Sequence, residues 1–299
     1  MKKKILILGG SGFIGQNLII KLKKLRFGAI TSMSRSLPKR QRKISGVEYI
    51  ACDISNFKKL KKKIIHDYEY IINLSGNIDH KNKIQNLKTH YVGCKNIVSL
   101  FLKKKIKLFI QIGSSLEYGN AKSPQKESIS CKPESSYGLA KFKATNFLQK
   151  INYKNKFPFI VLRLYQIYGP FQKLDRLIPH AIFSSLKNKQ FKCTDGIQLR
   201  DFVYIDDLTD LFVKILKKNK IKYGIFNVGY GKPIQIKNIL LLIKKIAKKG
   251  EPLFGRIKMR KEEIIKLYPH MLKTNTFFKW RPKINIYKGL KKTISFYAK

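Results

Sequence analysis

Acidic residues are scarce in this sequence, which has 17 Asp and Glu residues against 64 Lys and Arg residues and a formal net charge of +47. Such a chain attracts anions. The lysines are nevertheless spread along most of the chain, whereas a nucleic-acid-binding surface needs basic residues concentrated on one face or interleaved with aromatic residues. We therefore expect no specific nucleic-acid partner, although an acidic small-molecule substrate would be drawn to this surface.

Cysteine is also sparse, and the four cysteines form no close pair in the sequence: Cys52, Cys94, Cys131 and Cys193. Isolated thiols suit a reducing compartment, so no disulfide is expected. The five histidines show no ligand spacing such as two on one helical face. We expect neither zinc nor another metal.

The sequence lacks a long uninterrupted apolar run. Its start, from Met1 to Leu8, has the charged and apolar regions of a signal peptide, but Gly9 and Gly10 follow directly. No later stretch approaches the roughly 18 to 20 apolar residues that a membrane-spanning helix needs. The expectation is a soluble, cytoplasmic protein without a membrane partner.

What the sequence does have is an alternation of short apolar runs with longer stretches of helical period. Strands are predicted over residues 4–8, 29–33, 70–74, 108–112 and 159–164, and helices over 17–25, 57–65, 89–104 and 137–151. This βαβ rhythm predicts an α/β fold with a Rossmann-like, doubly wound parallel sheet.

The rhythm weakens after Gly169 and Pro170, where aromatic residues, proline and glycine become more frequent. We therefore predict a Rossmann domain over residues 1–170 and a smaller C-terminal α/β lobe over residues 171–299. A segment near 200–217 is expected to return to the first domain.

The first predicted strand runs directly into a glycine turn with the spacing G-x-x-G-x-x-G at Gly9, Gly12 and Gly15. Glycine permits the tight turn, the approach of the backbone to a pyrophosphate, and close packing of strand and helix. The helix that opens around Phe13 and Ile14 offers its N-terminus to the negative charge. We predict that these residues bind the diphosphate of NAD or NADP.

Two later strand ends are expected beside the same cofactor. Asp53 and Ile54 follow the third strand and are assigned to the adenine. The residues after the fourth strand are assigned to the pyrophosphate and ribose: Leu74, Ser75 and Gly76. Without the glycine turn, these positions would indicate only ordinary turn chemistry.

The end of the second strand discriminates between the two nicotinamide cofactors. A carboxylate there would accept hydrogen bonds from the ribose 2′-hydroxyl of NAD, whereas an arginine would bind the 2′-phosphate of NADP. The stretch from Thr31 to Ser36 contains Arg35 and no carboxylate. We therefore favour NADP over NAD, and a merely solvated Arg35 is the alternative.

Tyr137 and Lys141 have the spacing Y-x-x-x-K, which places both side chains on one face of a predicted helix. A nearby ammonium lowers the pKa of a tyrosine hydroxyl, so Tyr137 can exchange a proton with a sugar hydroxyl or carbonyl while hydride moves to or from a nicotinamide. Ser114, at the end of the strand over 108–112, is the third catalytic candidate, and Ser115 competes with it. Lys141 and Tyr137 would also contact the cofactor.

Six blocks occur in a characteristic order: GGSGFIG at 9–15, SSLEYG at 114–119, YGLAK at 137–141, RLYQIYGP at 163–170, RDFVYIDD at 200–207 and NVGYGKP at 227–233. In this order the chain resembles, over nearly its whole length, the NAD-dependent epimerase/dehydratase family of extended short-chain dehydrogenases. The resemblance implies a nucleotide-sugar substrate, a role in polysaccharide biosynthesis and a homodimer.

The resemblance also implies that the C-terminal lobe mainly binds the substrate. The residues that it assigns to substrate are Ser115, Gln166, Arg200 and Arg256. The Arg200 guanidinium suits bidentate recognition of a phosphate, and an ion pair with Asp201 or Asp206 is the alternative.

Four positions depart from the family pattern. Dehydratases of the family carry an acidic pair after the catalytic hydroxyl residue, where this chain has Ser115 and Leu116, and leucine cannot transfer a proton. Gln166 and His90 stand where asparagine is usual. Dehydratase activity is therefore not expected, and the substrate stays open.

These features favour an NADPH-dependent reductase of a 4-keto-6-deoxy sugar nucleotide, with Tyr137 as the proton donor. A nucleotide-sugar 4-epimerase with tightly bound NAD is the alternative. A non-catalytic dinucleotide-binding regulator is disfavoured because it would not need the triad of Ser114, Tyr137 and Lys141. A polyanion-binding function is a further alternative, and it would be detected as salt-sensitive retention of the protein on nucleic acid.

Overall fold

The computed structural model describes residues 3–77, 82–219, 221–260 and 262–298. Its strands are β1 (Lys4–Leu8), β2 (Ala29–Ser34), β3 (Val47–Ala51), β4 (Tyr70–Asn73), β5 (Leu108–Ser114), β6 (Phe159–Leu164), β7 (Gln166–Tyr168), β8 (Gln190–Lys192), β9 (Leu199–Arg200), β10 (Phe202–Tyr204), β11 (Gly224–Val228), β12 (Ile234–Gln235), β13 (Glu251–Leu253) and β14 (Lys266–Leu267).

The helices are α1 (Phe13–Lys24), α2 (Phe57–Lys63), α3 (Lys83–Asn86), α4 (Gly93–Phe101), α5 (Ser136–Asn155), α6 (Leu177–Leu186), α7 (Ile205–Lys217), α8 (Ile236–Ala247), α9 (Leu272–Phe278) and α10 (Ile286–Tyr297). A π-helical segment, Leu87–Val92, joins α3 to α4, and 3₁₀ turns cover Arg40–Arg42 and Ser115–Tyr118.

Seven strands form the central sheet in the order β11-β6-β5-β4-β1-β2-β3. The neighbours β3 and β2, β2 and β1, β1 and β4, and β4 and β5 all pair in parallel. The strand order reverses at β1, and ligands bind at the carboxyl ends of the strands beside such a switch point. The predicted Rossmann-like parallel sheet is confirmed.

The central strands of the sheet are buried on both faces, as in a parallel sheet that helices cover. Ile5, Leu6, Ile7 and Leu8 of β1 are all completely buried. One apolar cluster packs β1, β4 and β5 against α4 and α5. This packing fixes the carboxyl ends of the central strands at one edge of the sheet.

Two predicted strands, 4–8 and 159–164, coincide with β1 and β6, but two predicted helices differ from the observed ones. Helix α1 starts at Phe13 because Gly12 caps it, four residues before the predicted start at residue 17. The helix predicted over 89–104 belongs to a longer helical run that begins at Lys83 and contains the π-helical segment. A π-helical segment has a different period from an α-helix, so the spacing of apolar residues in the sequence does not reveal it.

The chain divides into two compact units. Unit 1 comprises Met1–Ala121, Glu127–Arg163 and Phe212–Phe226, and unit 2 comprises Lys122–Lys126, Leu164–Leu211 and Asn227–Lys299. Within unit 2, β7 pairs with β10, β8 pairs with β13, and β9 lies between β12 and β14. Helix α8 of this unit packs against α6 and α10.

No helix within the described ranges is long and apolar enough to cross a membrane. The four cysteines are free thiols. Lysine runs such as Lys61–Lys63 and Lys103–Lys105 are exposed to solvent. In the part of the chain that the structure describes, no group of three or more His, Cys, Asp or Glu side chains is placed to hold a metal ion.

Candidate active site

The glycine turn connects β1 to α1 and needs glycine for steric reasons. Gly9 has a left-handed backbone, with φ of 78°, and a Cβ there would lie 2.9 Å from the carbonyl oxygen of Leu74. A Cβ on Gly15 would lie 2.5 Å from the Gly9 carbonyl oxygen. The turn is therefore packed too tightly for side chains at these positions.

The N-terminus of α1 opens from this turn without a side-chain cap. Gly12 is the N-cap residue, no side chain accepts a hydrogen bond from the first turn, and no acidic residue stands there. The first-turn residues Phe13 and Ile14 are half-buried. Main-chain N–H groups and the helix dipole can thus receive an anion, such as a diphosphate.

The residues after β4 lie against the glycine turn. The Leu74 N–H donates to the Leu8 carbonyl at 2.9 Å, and the Ser75 N–H donates to Asn73 Oδ1 at 3.1 Å. A Cβ on Gly76 would approach His90 Cε1 to 2.9 Å. The structure thus brings two of the predicted cofactor-binding segments together.

The third predicted cofactor-binding segment follows β3, at the same edge of the sheet. Asp53 Oδ1 accepts the Ser55 N–H at 2.8 Å, which closes a turn. Ile54 is buried, and its side chain lies where a Cβ on Gly93 would stand.

Arg35 follows β2 directly, and its side chain is exposed. The preceding Ser34 accepts the Ser11 N–H through its hydroxyl at 3.2 Å, so the end of β2 touches the glycine turn. Farther along, Gln16 of α1 donates to the Arg42 carbonyl at 2.9 Å. Sequence reading missed this contact, which holds the basic segment from Arg35 to Arg42 beside the first helix.

Ser114 ends β5 and begins the 3₁₀ turn Ser115–Tyr118. Its hydroxyl accepts the Leu116 N–H at 3.2 Å, and its own N–H donates to Glu117 Oε1 at 2.8 Å. These reciprocal bonds form a capping box. Ser114 is 7% exposed and Ser115 is 3% exposed, so both serines are buried at the end of β5.

Helix α5 presents Tyr137 and Lys141 beside this turn. Its N-cap, Ser135, accepts the Gly138 N–H at 3.0 Å. A Cβ on Gly138 would lie 2.4 Å from the Leu116 carbonyl oxygen, so glycine lets the first turn of the helix pack against the Ser114 turn. The predicted catalytic residues are therefore adjacent within unit 1.

Lys141 is almost completely buried beneath Tyr137. Its Nζ donates to the Ile112 carbonyl at 2.7 Å and lies 5.7 Å from the centre of the Tyr137 ring. Burial lowers the pKa of Lys141 to about 8, and the nearby Glu117 and Cys94 oppose this shift. The ammonium is placed where it can stabilise a Tyr137 phenolate.

A buried ion pair supports the Ser114 turn, and sequence reading did not find it. Glu117 Oε2 accepts hydrogen bonds from Arg163 Nε at 2.9 Å and from Thr145 Oγ1 at 2.8 Å. The Arg163 guanidinium also stacks 4.4 Å from the centre of the Tyr118 ring. Glu117 thus joins β6, α5 and the Ser114 turn.

His90 packs against Tyr137 from the π-helical segment. Its ring centre lies 5.0 Å from that of Tyr137 in an edge-to-face arrangement, and its Nε2 lies 3.0 Å from the Asn77 carbonyl oxygen. The imidazole therefore fills the space between Gly76 and Tyr137.

Unit 2 contains three of the predicted substrate-binding residues. Arg200 pairs with Glu263 and donates from Nη1 to the Leu199 carbonyl at 2.9 Å. Burial lowers the pKa of this guanidinium, and Glu263 opposes the shift.

The two carboxylates considered as partners of Arg200 are engaged elsewhere. Asp201 accepts the Gly231 N–H at 2.6 Å, and Asp206 bonds to Lys292. The Gln166 N–H donates to the Asp201 carbonyl at 3.0 Å, which places Gln166 beside the residue after Arg200. Arg256 is exposed in the turn after β13. Strand β13 pairs with β8, whereas Arg200 lies on β9, which pairs with β12 and β14.

Comparison with known proteins identifies the family of this chain. Residues 5–229 match the model of the NAD dependent epimerase/dehydratase family. The chain is 26% identical over 306 residues to a putative UDP-glucose 4-epimerase of Methanocaldococcus jannaschii, with 97% of each chain covered. It is 26% identical over 322 residues to human dTDP-D-glucose 4,6-dehydratase, with 99% of this chain and 90% of the relative covered.

Two solved structures show the same fold. UDP-glucose 4-epimerase of Thermotoga maritima, solved with UDP-glucose, has a TM-score of 0.91 at 24% identity, with 98% of each chain covered. UDP-glucuronic acid 4-epimerase of Bacillus cereus, solved with UDP-glucuronic acid and NAD, has a TM-score of 0.87 at 24% identity and the same coverage.

Proposed function

The chain belongs to the NAD-dependent epimerase/dehydratase family, and on that premise we propose that it is an NADPH-dependent reductase of a 4-keto-6-deoxy sugar nucleotide. One observation carries the proposal. Buried Lys141 lies beneath Tyr137, and Gly138 packs the same helical turn against the turn of Ser114. A proton donor, a cation beneath it and a hydroxyl are thus gathered beside the glycine turn.

The residues around the glycine turn fit a dinucleotide. The uncapped N-terminus of α1 offers main-chain N–H groups to a diphosphate, and Gly9 and Gly15 allow the tight packing of the turn that precedes and opens this helix. Leu74–Gly76 follow β4 and Asp53–Ile54 follow β3, at the same edge of the sheet, and they would hold the ribose and adenine. NADPH bound here would supply the hydride for reduction of the sugar.

Tyr137 would act as the proton donor. As hydride adds to the keto carbon, the electron pair of the carbonyl bond moves to its oxygen, which takes the proton of the Tyr137 hydroxyl. The Lys141 ammonium stabilises the phenolate that remains. The Ser114 hydroxyl donates a hydrogen bond to the same substrate oxygen.

Arg35 supports NADPH as the reductant. It is exposed directly after β2, where the stretch from Thr31 to Ser36 has no carboxylate to repel a 2′-phosphate. A guanidinium binds a phosphate with two parallel hydrogen bonds, and the basic segment that Gln16 anchors adds positive charge.

A second candidate function is 4-epimerisation of a nucleotide sugar with tightly held NAD. It is favoured by the full-length similarity to the putative UDP-glucose 4-epimerase. The same Tyr137 and Lys141 would serve it, since epimerisation needs proton transfer in both directions. Dehydration is disfavoured because Leu116 occupies a position at which an acidic residue is expected.

The deciding experiment measures which cofactor the protein binds and releases. Purified protein is titrated with NADPH and NADH by nicotinamide fluorescence, and the nucleotide released on denaturation is identified. Exchangeable binding with a preference for NADPH, followed by oxidation of NADPH in the presence of a 4-keto-6-deoxy sugar nucleotide, supports the reductase. Retained NAD supports the epimerase, and binding of neither cofactor overturns both functions.

A further inference from the structure

A continuous chain of hydrogen bonds crosses the carboxyl edge of the sheet from the loop after β4 to Lys141. The Ser75 N–H donates to Asn73 Oδ1 at 3.1 Å, and Asn73 Nδ2 donates to Gln111 Oε1 at 2.8 Å. Gln111 Nε2 then donates to the Ile112 carbonyl at 3.0 Å. The same carbonyl accepts from Lys141 Nζ at 2.7 Å.

The two amides of this chain occupy an unusual place. Asn73 and Gln111 are register partners on the neighbouring strands β4 and β5, and each is 1% exposed. Central strands of a parallel sheet are otherwise apolar, as Ile72 and Ile110, the preceding pair, illustrate. Burying two primary amides costs free energy unless their polar atoms are bonded, so packing alone does not account for them.

The direction of each bond is determined by its neighbours. The Ser75 N–H can only donate, so Asn73 must turn Oδ1 towards it and Nδ2 towards Gln111. Gln111 must then accept through Oε1, which turns Nε2 towards the Ile112 carbonyl. One continuous set of hydrogen bonds thus orients both the loop at Ser75 and the Ile112 carbonyl, which accepts from Lys141.

We propose that Asn73 and Gln111 are positioning residues that tie the cofactor-side loop at Ser75 to Lys141. The inference rests on the proposed function, in which that loop contacts the cofactor and Lys141 acts through Tyr137. Binding at the loop and the placement of the ammonium are coupled through these amides. Neither side chain touches the reacting atoms.

The first test substitutes Gln111→Met, which keeps the volume and removes both hydrogen bonds of the amide. Asn73 Nδ2 loses its acceptor, and the Ser75 N–H is held less firmly. We expect the dissociation constant for the cofactor to rise about fivefold, corresponding to the loss of about one hydrogen bond. In the cofactor-free protein, amide hydrogen exchange of the peptide that contains Ser75 should be faster than in the wild type.

Ile110→Val is the matched control. Ile110 is completely buried on β5 next to Gln111, and the substitution removes one methylene group without touching the amides. It lowers stability modestly. Cofactor affinity and exchange at Ser75 should stay within about twofold of the wild type, since no bond of the chain is lost.

A second variant, Gln111→Glu, tests separately the hydrogen bond from Asn73 to residue 111 and the one from residue 111 to the Ile112 carbonyl. It remains informative if Gln111→Met does not fold. A glutamate accepts from Asn73 Nδ2 but cannot donate to the Ile112 carbonyl. Cofactor affinity should therefore be restored to within about twofold of the wild type. The added carboxylate, sharing the surroundings of Lys141 with Glu117, Cys94 and Tyr137, should move the alkaline fall of kcat to higher pH.

The outcomes distinguish the inference from the function on which it rests. If Gln111→Met matches Ile110→Val in cofactor affinity and in exchange at Ser75, the inference is overturned and the proposed function stands. If Gln111→Glu weakens cofactor binding as much as Gln111→Met, the orienting role of Asn73 is overturned. If the wild type binds neither cofactor, the proposed function fails, and the exchange comparison alone decides whether Gln111 orders the loop.

Discussion

The Glu117 carboxylate and the Arg163 guanidinium form an ion pair with an Nε to Oε2 distance of 2.9 Å, and the two side chains are only 0% and 2% exposed. Breaking such a pair on one side leaves an uncompensated charge in the interior. The pair lies beneath the turn of Ser114, so its loss affects both stability and the site.

Glu117→Gln should therefore lower the free energy of unfolding by about 3 to 5 kcal/mol. Urea denaturation measures the change. Asp67→Asn is the matched control, because Asp67 and Lys104 also lie 2.9 Å apart but are exposed, and it should leave the denaturation midpoint unchanged. If the two substitutions changed the free energy of unfolding equally, burial of the Glu117–Arg163 pair would not account for the loss of stability.

Tyr137→Phe should lower kcat by about a hundredfold or more, since it removes the proposed proton donor. The dissociation constant for the cofactor should stay within about twofold, because the ring and its contact with His90 remain. Steady-state kinetics and fluorescence titration give the two values. Tyr153→Phe, on the exposed surface of the same helix, should change neither, and full activity of Tyr137→Phe would refute the assigned mechanism.

Turnover should fall as the pH rises through the pKa of Lys141, which burial lowers to about 8. Above that pH Lys141 loses the charge that is proposed to stabilise a Tyr137 phenolate. Lys141→Arg keeps its charge at high pH, so its residual activity should show no such fall. A pH profile of kcat for both proteins checks this, and an identical alkaline fall in the arginine variant would assign it to another group.

The same titration has the opposite effect on stability. The folded protein releases the Lys141 proton at about pH 8, whereas the unfolded chain holds it up to the ordinary value of 10.5. The unfolded state thus binds more protons between these values, and the contribution of Lys141 to stability rises with pH there. The denaturant midpoint of the wild type should therefore rise relative to that of Lys141→Met as the pH increases across this range.

Arg35→Asp should weaken NADPH binding about tenfold or more and leave NADH binding within about threefold, since only the 2′-phosphate is lost as a partner. Fluorescence titration with both cofactors measures the difference. Arg26→Asp makes the same charge change in the exposed residue that follows α1, and it should affect neither cofactor. Equal losses for NADPH and NADH in Arg35→Asp would indicate a general electrostatic effect.

Local sequence patterns could predict the elements and the separate parts of the site. The apolar run before Gly9 predicts β1, and the spacing of Tyr137 and Lys141 predicts one helical face, because both depend on residues close in the sequence. The resemblance to the family, which rests on the order of six sequence blocks, indicated that these parts form one site.

The buried polar contacts could not be predicted in the same way. Arg163 lies 46 residues from Glu117, and Gln111 lies 38 residues from Asn73. In a chain with 64 basic residues, a charged side chain is expected at the surface. Only the strand order shows that these groups meet in the interior, where their mutual bonds offset the cost of burial.

The oxygen that holds Lys141 belongs to the main chain of Ile112. Replacement of the isoleucine side chain leaves that oxygen in place, so genetic variation at position 112 cannot delete the anchor as long as β5 keeps its path. The attachment of Lys141 is consequently more tolerant of mutation than any attachment made by a second side chain would be.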